Sequence, residues 1–182
     1  ISDVRVEEVQ GFLSDHYDPS AKVLRLSPGV YNGYSMAAFG VAAHEVGHAI
    51  QHAQHYMPLK LRSRVVPLVN FGSPIGSYMI FGSMALGGAT TAFGAQLAWL
   101  GLALFSVGTL FALVTLPVEF DASNRALATL KTGGFVSPEE LAGAEKVLNA
   151  AALTYVAAAV ASIASLVYYA IQLGLIGGSR KE

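Results

Sequence analysis

Residues 65–118 read VVPLVNFGSPIGSYMIFGSMALGGATTAFGAQLAWLGLALFSVGTLFALVTLPV, 54 residues without a single Asp, Glu, Lys, Arg or His. A helix facing water needs charge on its outer face, and this stretch supplies none. At 1.5 Å per residue it makes about 80 Å of helix, roughly two crossings of a ~30 Å hydrocarbon core plus a turn. Gly87-Gly88-Ala89-Thr90-Thr91 provides the turn. The reading is therefore a membrane hairpin, with a first span over 65–86 bent at Pro74 and a second over 93–116. A further charge-free run of 33 residues, 147–179, is long enough for a third span at 150–173, closed by Gly174, Gly177 and Gly178. A chain of 182 residues cannot surround three such helices with soluble protein. Composition agrees: 53% of residues are hydrophobic and 13% charged, against ~25% charged in soluble domains. Mean hydropathy is +0.50. The expected fold class is a mainly α integral membrane protein with three transmembrane helices.

Outward from the hairpin, the chain regains polar character. Val4–Val9 partly alternates and residues 22–26 alternate cleanly, which predicts two short strands with a turn at Ser14-Asp15-His16-Tyr17-Asp18-Pro19 between them. Ser27-Pro28-Gly29 and Asn32-Gly33 close that region. Ser35 is a natural N-cap for a helix over 36–56 that Pro58 would stop. On the far side of the hairpin a helix is expected over 120–130. Ser137-Pro138-Glu139-Glu140 then combines an N-cap, a first-turn proline and a capping-box glutamate, opening a helix that runs into the third span. The expected division is 1–64, 65–118, 119–148, 149–176 and a tail 177–182. The chain opens on Ile1 rather than Met, which is the expectation for a fragment or processed product.

Charge orients the expected topology. Arg5, Lys22, Arg25, Lys60, Arg62, Arg64, Arg125, Lys131 and Lys146 fall on the side of the non-membrane segments, against Arg180 and Lys181 opposite. The positive-inside rule then puts those segments in the cytoplasm. A net charge of -1 gives no footprint for nucleic acid.

The chemistry concentrates in His44-Glu45-Val46-Gly47-His48, an HExxH pattern on the expected 36–56 helix. Residues i and i+4 share a helix face, so both imidazoles can reach one Zn²⁺ while Glu45 stands about 100° round beside the metal's water. With no cysteine in the chain, thiolate zinc sites, iron–sulfur clusters, disulfides and cysteine nucleophiles are excluded, and a third ligand must be His, Asp or Glu. His52 and His55 share the face, but His52 lies eight residues past His44, roughly 12 Å along the axis, too far to close a tetrahedron with both motif histidines. They read instead as a polar helix end or a secondary metal site. Glu119 is the better candidate, because a hairpin brings the end of its second span back to the start of its first. An ordinary interfacial charge would also fit that position.

AAHEVGHAIQH at 42–52, SDHYDP at 14–19, PVEFDASNRAL at 117–127 and VLNAAALTYVAAA at 147–159 together resemble the YugP-like family of membrane zinc metallopeptidases. The resemblance runs from Val4 to about Leu173. More distantly, the Glu119 segment is similar to the E-x-x-x-D motif of HtpX-like and CAAX prenyl proteases. It implies Zn²⁺ on His44, His48 and Glu119, a small zincin-like α+β catalytic part carrying the HExxH helix, and a further membrane helix ahead of the first strand. Ser123 stands where the motif has Asp, so Asp121 or Ser123 takes over the orientation of a ligand histidine. The implied reaction is peptide hydrolysis by zinc-activated water, with Glu45 as general base. His16, Tyr17 and Arg125 are the candidates for stabilising the oxyanion, with His16 placed among the catalytic residues. An exposed strand edge at 22–26 is a place for substrate to add by β-pairing.

Two other readings are weighed against this one. A protease with its HExxH inside a membrane span is disfavoured, because the apolar run at 35–43 is only nine residues and Gln51-His52-Ala53-Gln54-His55 follows it. A non-enzymatic membrane metal-binding or assembly protein would use the histidines but have no need of Glu45. Expected partners are protein or peptide substrates, including membrane proteins, the lipid bilayer, and a second copy of the chain in a homo-oligomer.

Overall fold

The computed structural model describes residues 1–134 and 136–177. Gly178, Arg180, Lys181 and the rest of the tail expected over 177–182 lie outside the described residues, Gly177 excepted. The elements are β1 (Arg5–Glu8), β2 (His16–Asp18), β3 (Val23–Leu26), α1 (Pro28–Tyr31), α2 (Met36–Ala53), α3 (Met57–Ala85), a 3₁₀ turn (Gly88–Thr90), α4 (Ala92–Gly133) and α5 (Pro138–Gln172). The chain divides into two compact units, one of Ile1–Lys60 with Leu116–Tyr155 and the other of Leu61–Thr115 with Val156–Glu182.

In the first unit the sheet has the order β1-β3-β2. β1 runs parallel to β3, Val6 opposite Leu24, and β2 runs antiparallel to it, Tyr17 opposite Leu24. The segment at 22–26 is thus the central strand and not a free edge, which corrects the expectation of β-addition there. Its side chains record that position: Val23, Leu24 and Leu26 are buried. His16-Tyr17-Asp18, expected as a turn, is a strand. The turn sits just after it, where Asp18 Oδ1 accepts from the Ser20 and Ala21 N–H groups. Asp and Pro mark a turn, but they do not say on which side of it the strand ends.

Ser35 caps α2 as expected, accepting from Ala38 N–H at 3.1 Å. The helix ends at Ala53 rather than 56, closed by bonds from Tyr56 N–H to Gln51 O and His55 N–H to His52 O around a left-handed His55 (φ 55°). Pro58 opens α3 instead of stopping α2, since a first-turn proline gives up an N–H that has no helical partner. α2 packs against the later part of α4 and the first turns of α5 through Ala43, Ala126, Leu130, Ala144 and Leu148. Gly47 lets the backbones meet: a Cβ there would stand 2.2 Å from Ala122 O. α5 begins in the expected capping box, Ser137 N–H to Glu140 Oε2 at 2.8 Å and Glu140 N–H to Ser137 Oγ at 3.2 Å.

In the second unit, Gly76 on α3 and Gly101 on α4 cross so closely that a Cβ on Gly76 would sit 2.7 Å from Gly101 O. Ile80, Ala98 and Leu173 form its core. Two of its buried hydroxyls find carbonyls: Ser83 donates to Gly94 O at 2.7 Å and Thr109 to Ser162 O at 3.3 Å. α3, α4 and α5 are each long and apolar enough to cross a membrane. The expected second span and the expected helix over 120–130 are one helix, α4, which passes through Pro117. Proline is tolerated in such helices far better than in soluble ones. Glu119 accordingly projects from within a helix, not from the chain that follows one.

Candidate metal centre

The helical period puts His44 and His48 on one face of α2, their rings edge to face with centroids 4.7 Å apart. α4 supplies Glu119, whose Oε2 lies 3.0 Å from His44 Nε2 and 3.5 Å from His48 Nε2. One ligand atom from each of the three falls within 4.8 Å of the others, the one group of its kind among the described residues. Two imidazole nitrogens and a carboxylate oxygen are the donor set of an open zinc site. Glu119 is only 2% exposed, and a carboxylate so buried requires positive charge beside it. The three residues therefore fit a divalent zinc ion. The same demand is visible at His48. Burial opposes its protonation, but the Glu119 carboxylate, with Glu45 and Gln51, outweighs burial and raises its pKa above the ordinary histidine value.

Around the ligands, each ring's second nitrogen is occupied. His44 Nδ1 meets Ser123 Oγ at 3.1 Å, and His48 Nδ1 meets Gln51 Oε1 at 3.0 Å. Gln51 Nε2 donates to Val118 O at 2.8 Å and to Asp121 Oδ2 at 2.7 Å. Asp121 also receives Arg125 Nε, and Arg125 reaches Gln54 and lies over the Tyr56 ring. Of the two residues proposed to orient a ligand histidine, Ser123 touches one directly and Asp121 reaches the other through Gln51. Gln51 was not singled out in the sequence. Its signal was its place three residues after His48, on the same face of the helix.

Glu45 is buried and accepts from Tyr17 N–H at 2.9 Å, so the outer side of strand β2 fixes it. The Tyr17 hydroxyl meets His52 Nδ1 at 2.9 Å, which leaves His52 outside the ligand trio. His16 is exposed and shares its face of the sheet with Arg25, opposite to that of Tyr17. Its Nδ1 lies 2.7 Å from Ser14 O and its Nε2 3.5 Å from Arg25. Arg125 is held by Asp121 and Gln54. None of the three oxyanion candidates is thus brought to the ligands with its polar side-chain atoms uncommitted.

Residues 1–174 match the model of a family described as "Putative neutral zinc metallopeptidase", and the chain belongs to that family. It is 48% identical over 167 residues to a Bacillus subtilis (strain 168) protein named "Putative membrane protease YugP", covering 92% of this chain and 72% of that one. No solved structure matches it.

Proposed function

We propose that the chain is a membrane-embedded zinc-dependent endopeptidase. The observation that carries this reading is the convergence of His44, His48 and Glu119 beside a buried Glu45. Zinc bound there would supply a Lewis acid that activates water at neutral pH and polarises a peptide carbonyl. Glu45, held by Tyr17 N–H, would take the proton from the attacking water and pass it to the leaving amine. Ser123 and Gln51 would keep the two imidazoles aimed, and α2 and α4 would keep the three ligands at fixed separation. The placing of nine of the eleven Lys and Arg residues in segments 1–64 and 119–146, against Arg180 and Lys181 past the third span, supports a cytoplasmic active site. The site's covalent continuity with three membrane helices supports protein substrates within or next to the bilayer.

The test is elemental analysis and proteolysis with detergent-purified protein. Glu45→Gln is expected to keep one zinc and lose activity by about 100- to 10,000-fold, the usual worth of a general base. Glu119→Ala is expected to lose the zinc and His52→Ala to keep it. Full activity in Glu45→Gln would refute the peptidase reading in favour of a metal-binding scaffold, and zinc retained by Glu119→Ala but lost by His52→Ala would refute the ligand set.

A further inference from the structure

The polar chain behind His48 has a direction that the chemistry of its members dictates. Gln51 is 0% exposed, so its carboxamide has to find its partners inside the protein. Its nitrogen faces the Val118 carbonyl and the Asp121 carboxylate, the latter also held by the Arg125 guanidinium. Neither partner can donate, and the amide nitrogen cannot accept, so turning the amide over would leave three acceptors facing one another, with the Gln51 oxygen sealed from water. With both N–H groups spent, Oε1 is the atom left for His48, and it can only accept. His48 must therefore carry a proton on Nδ1, so that in the neutral ring, the form that binds a metal, Nε2 holds the free lone pair. That is the nitrogen facing Glu119. His44 has no such constraint, because the Ser123 hydroxyl on its Nδ1 can donate or accept.

We propose that Gln51 is the positioning residue that fixes the tautomer and aim of His48 for the metal, with Asp121 and Arg125 as its backing. The inference rests on the zinc-peptidase reading. One side chain then does two jobs, because the carbonyl and carboxylate it grips belong to α4 on either side of Glu119. It ties the helix that brings two ligands to the helix that brings the third.

The experiment uses the full chain in detergent and measures zinc affinity by chelator competition, with circular dichroism to report folding. His48→Ala is the control for the site itself. Gln51→Leu, which fills the volume without hydrogen bonds, is expected to stay helical and bind zinc about 10- to 100-fold more weakly, the usual effect of losing such a support. Gln51→Glu alone sets two carboxylates together and should weaken zinc as well. Adding Asp121→Asn to it relieves that repulsion and places an amide donor behind the carboxylate that accepts from His48, and should recover most of the affinity. A folded Gln51→Leu with wild-type affinity would overturn the proposal while leaving the site intact. Should Gln51→Leu not fold, the double variant decides: recovery over Gln51→Glu supports the proposal and no recovery overturns it. Wild-type affinity in His48→Ala would instead remove the site on which the proposal rests. ¹⁵N-histidine spectra of zinc-loaded wild type give a readout that mere packing would not move. A proton on Nδ1 of His48 is expected, and a proton on Nε2 overturns the assignment.

Discussion

Ser123 carries a hydroxyl four residues after Glu119, where the resemblance leads one to expect a carboxylate. It reaches His44 Nδ1 at 3.1 Å and so occupies the place of an orienting acid without its charge. A neutral hydroxyl polarises an imidazole less than a carboxylate does. Ser123→Ala is therefore expected to weaken zinc by about tenfold, the low end for such a support, and Ser123→Asp to bind at least as tightly as wild type. Chelator competition on the two variants decides it, and an Asp variant weaker than the Ala variant would sink the argument. The residues of this site were unequally legible in the sequence. His44, Glu45 and His48 lie within one helical turn, and Glu119 stood out as the charge that ends a charge-free run. Gln51 did not, because what makes it more than a helix-face glutamine is a carbonyl and a carboxylate 67 and 70 residues away.

Gly47, one residue before His48 on α2, shows how α2 and α4 deliver the ligands at the right separation. Its hydrogen lies where a Cβ would meet Ala122 O at 2.2 Å, and Ala122 sits between Glu119 and Ser123. A methyl group there must push the two helices apart. The obstacle is backbone, so no rotamer change relieves it. Gly47→Ala is expected to cost about 3 kcal/mol, the upper range for overpacking, and to lose zinc, as read by thermal melts and metal analysis. Ser137→Ala removes the α5 capping box and is expected to cost about 1 kcal/mol with zinc affinity unchanged. Loss of zinc in the Ser137 variant, or its full retention in the Gly47 variant, would show that the helix contact does not set the site. That capping box was readable because its two residues are three apart. The continuity of α4 was not, because Pro117 carries the same local signal whether a helix ends or membrane packing tolerates it. β3 as the central strand was equally hidden, since alternation reports a buried face and says nothing about how many neighbours a strand has.

The second unit distributes its side chains in the reverse of the soluble pattern. Ser83 and Thr109 are buried, whereas Phe71, Tyr78 and Trp99 are 72%, 77% and 59% exposed. In water that apolar surface would be a strong driving force for aggregation, and in a bilayer acyl chains cover it. The hydroxyls are inside because they reach carbonyls there and would find none among lipid tails. Trp99 is the one tryptophan in the chain, so it reports on this surface without any substitution. Reconstituted in vesicles, its emission is expected to be blue-shifted, quenched by brominated acyl chains and insensitive to aqueous iodide. Chelating zinc should leave the quenching unchanged, because the ligands His44, His48 and Glu119 all belong to the other unit. Quenching by iodide and not by bromolipid would mean that water, and not lipid, covers this face, and the membrane reading of α4 would fall with it.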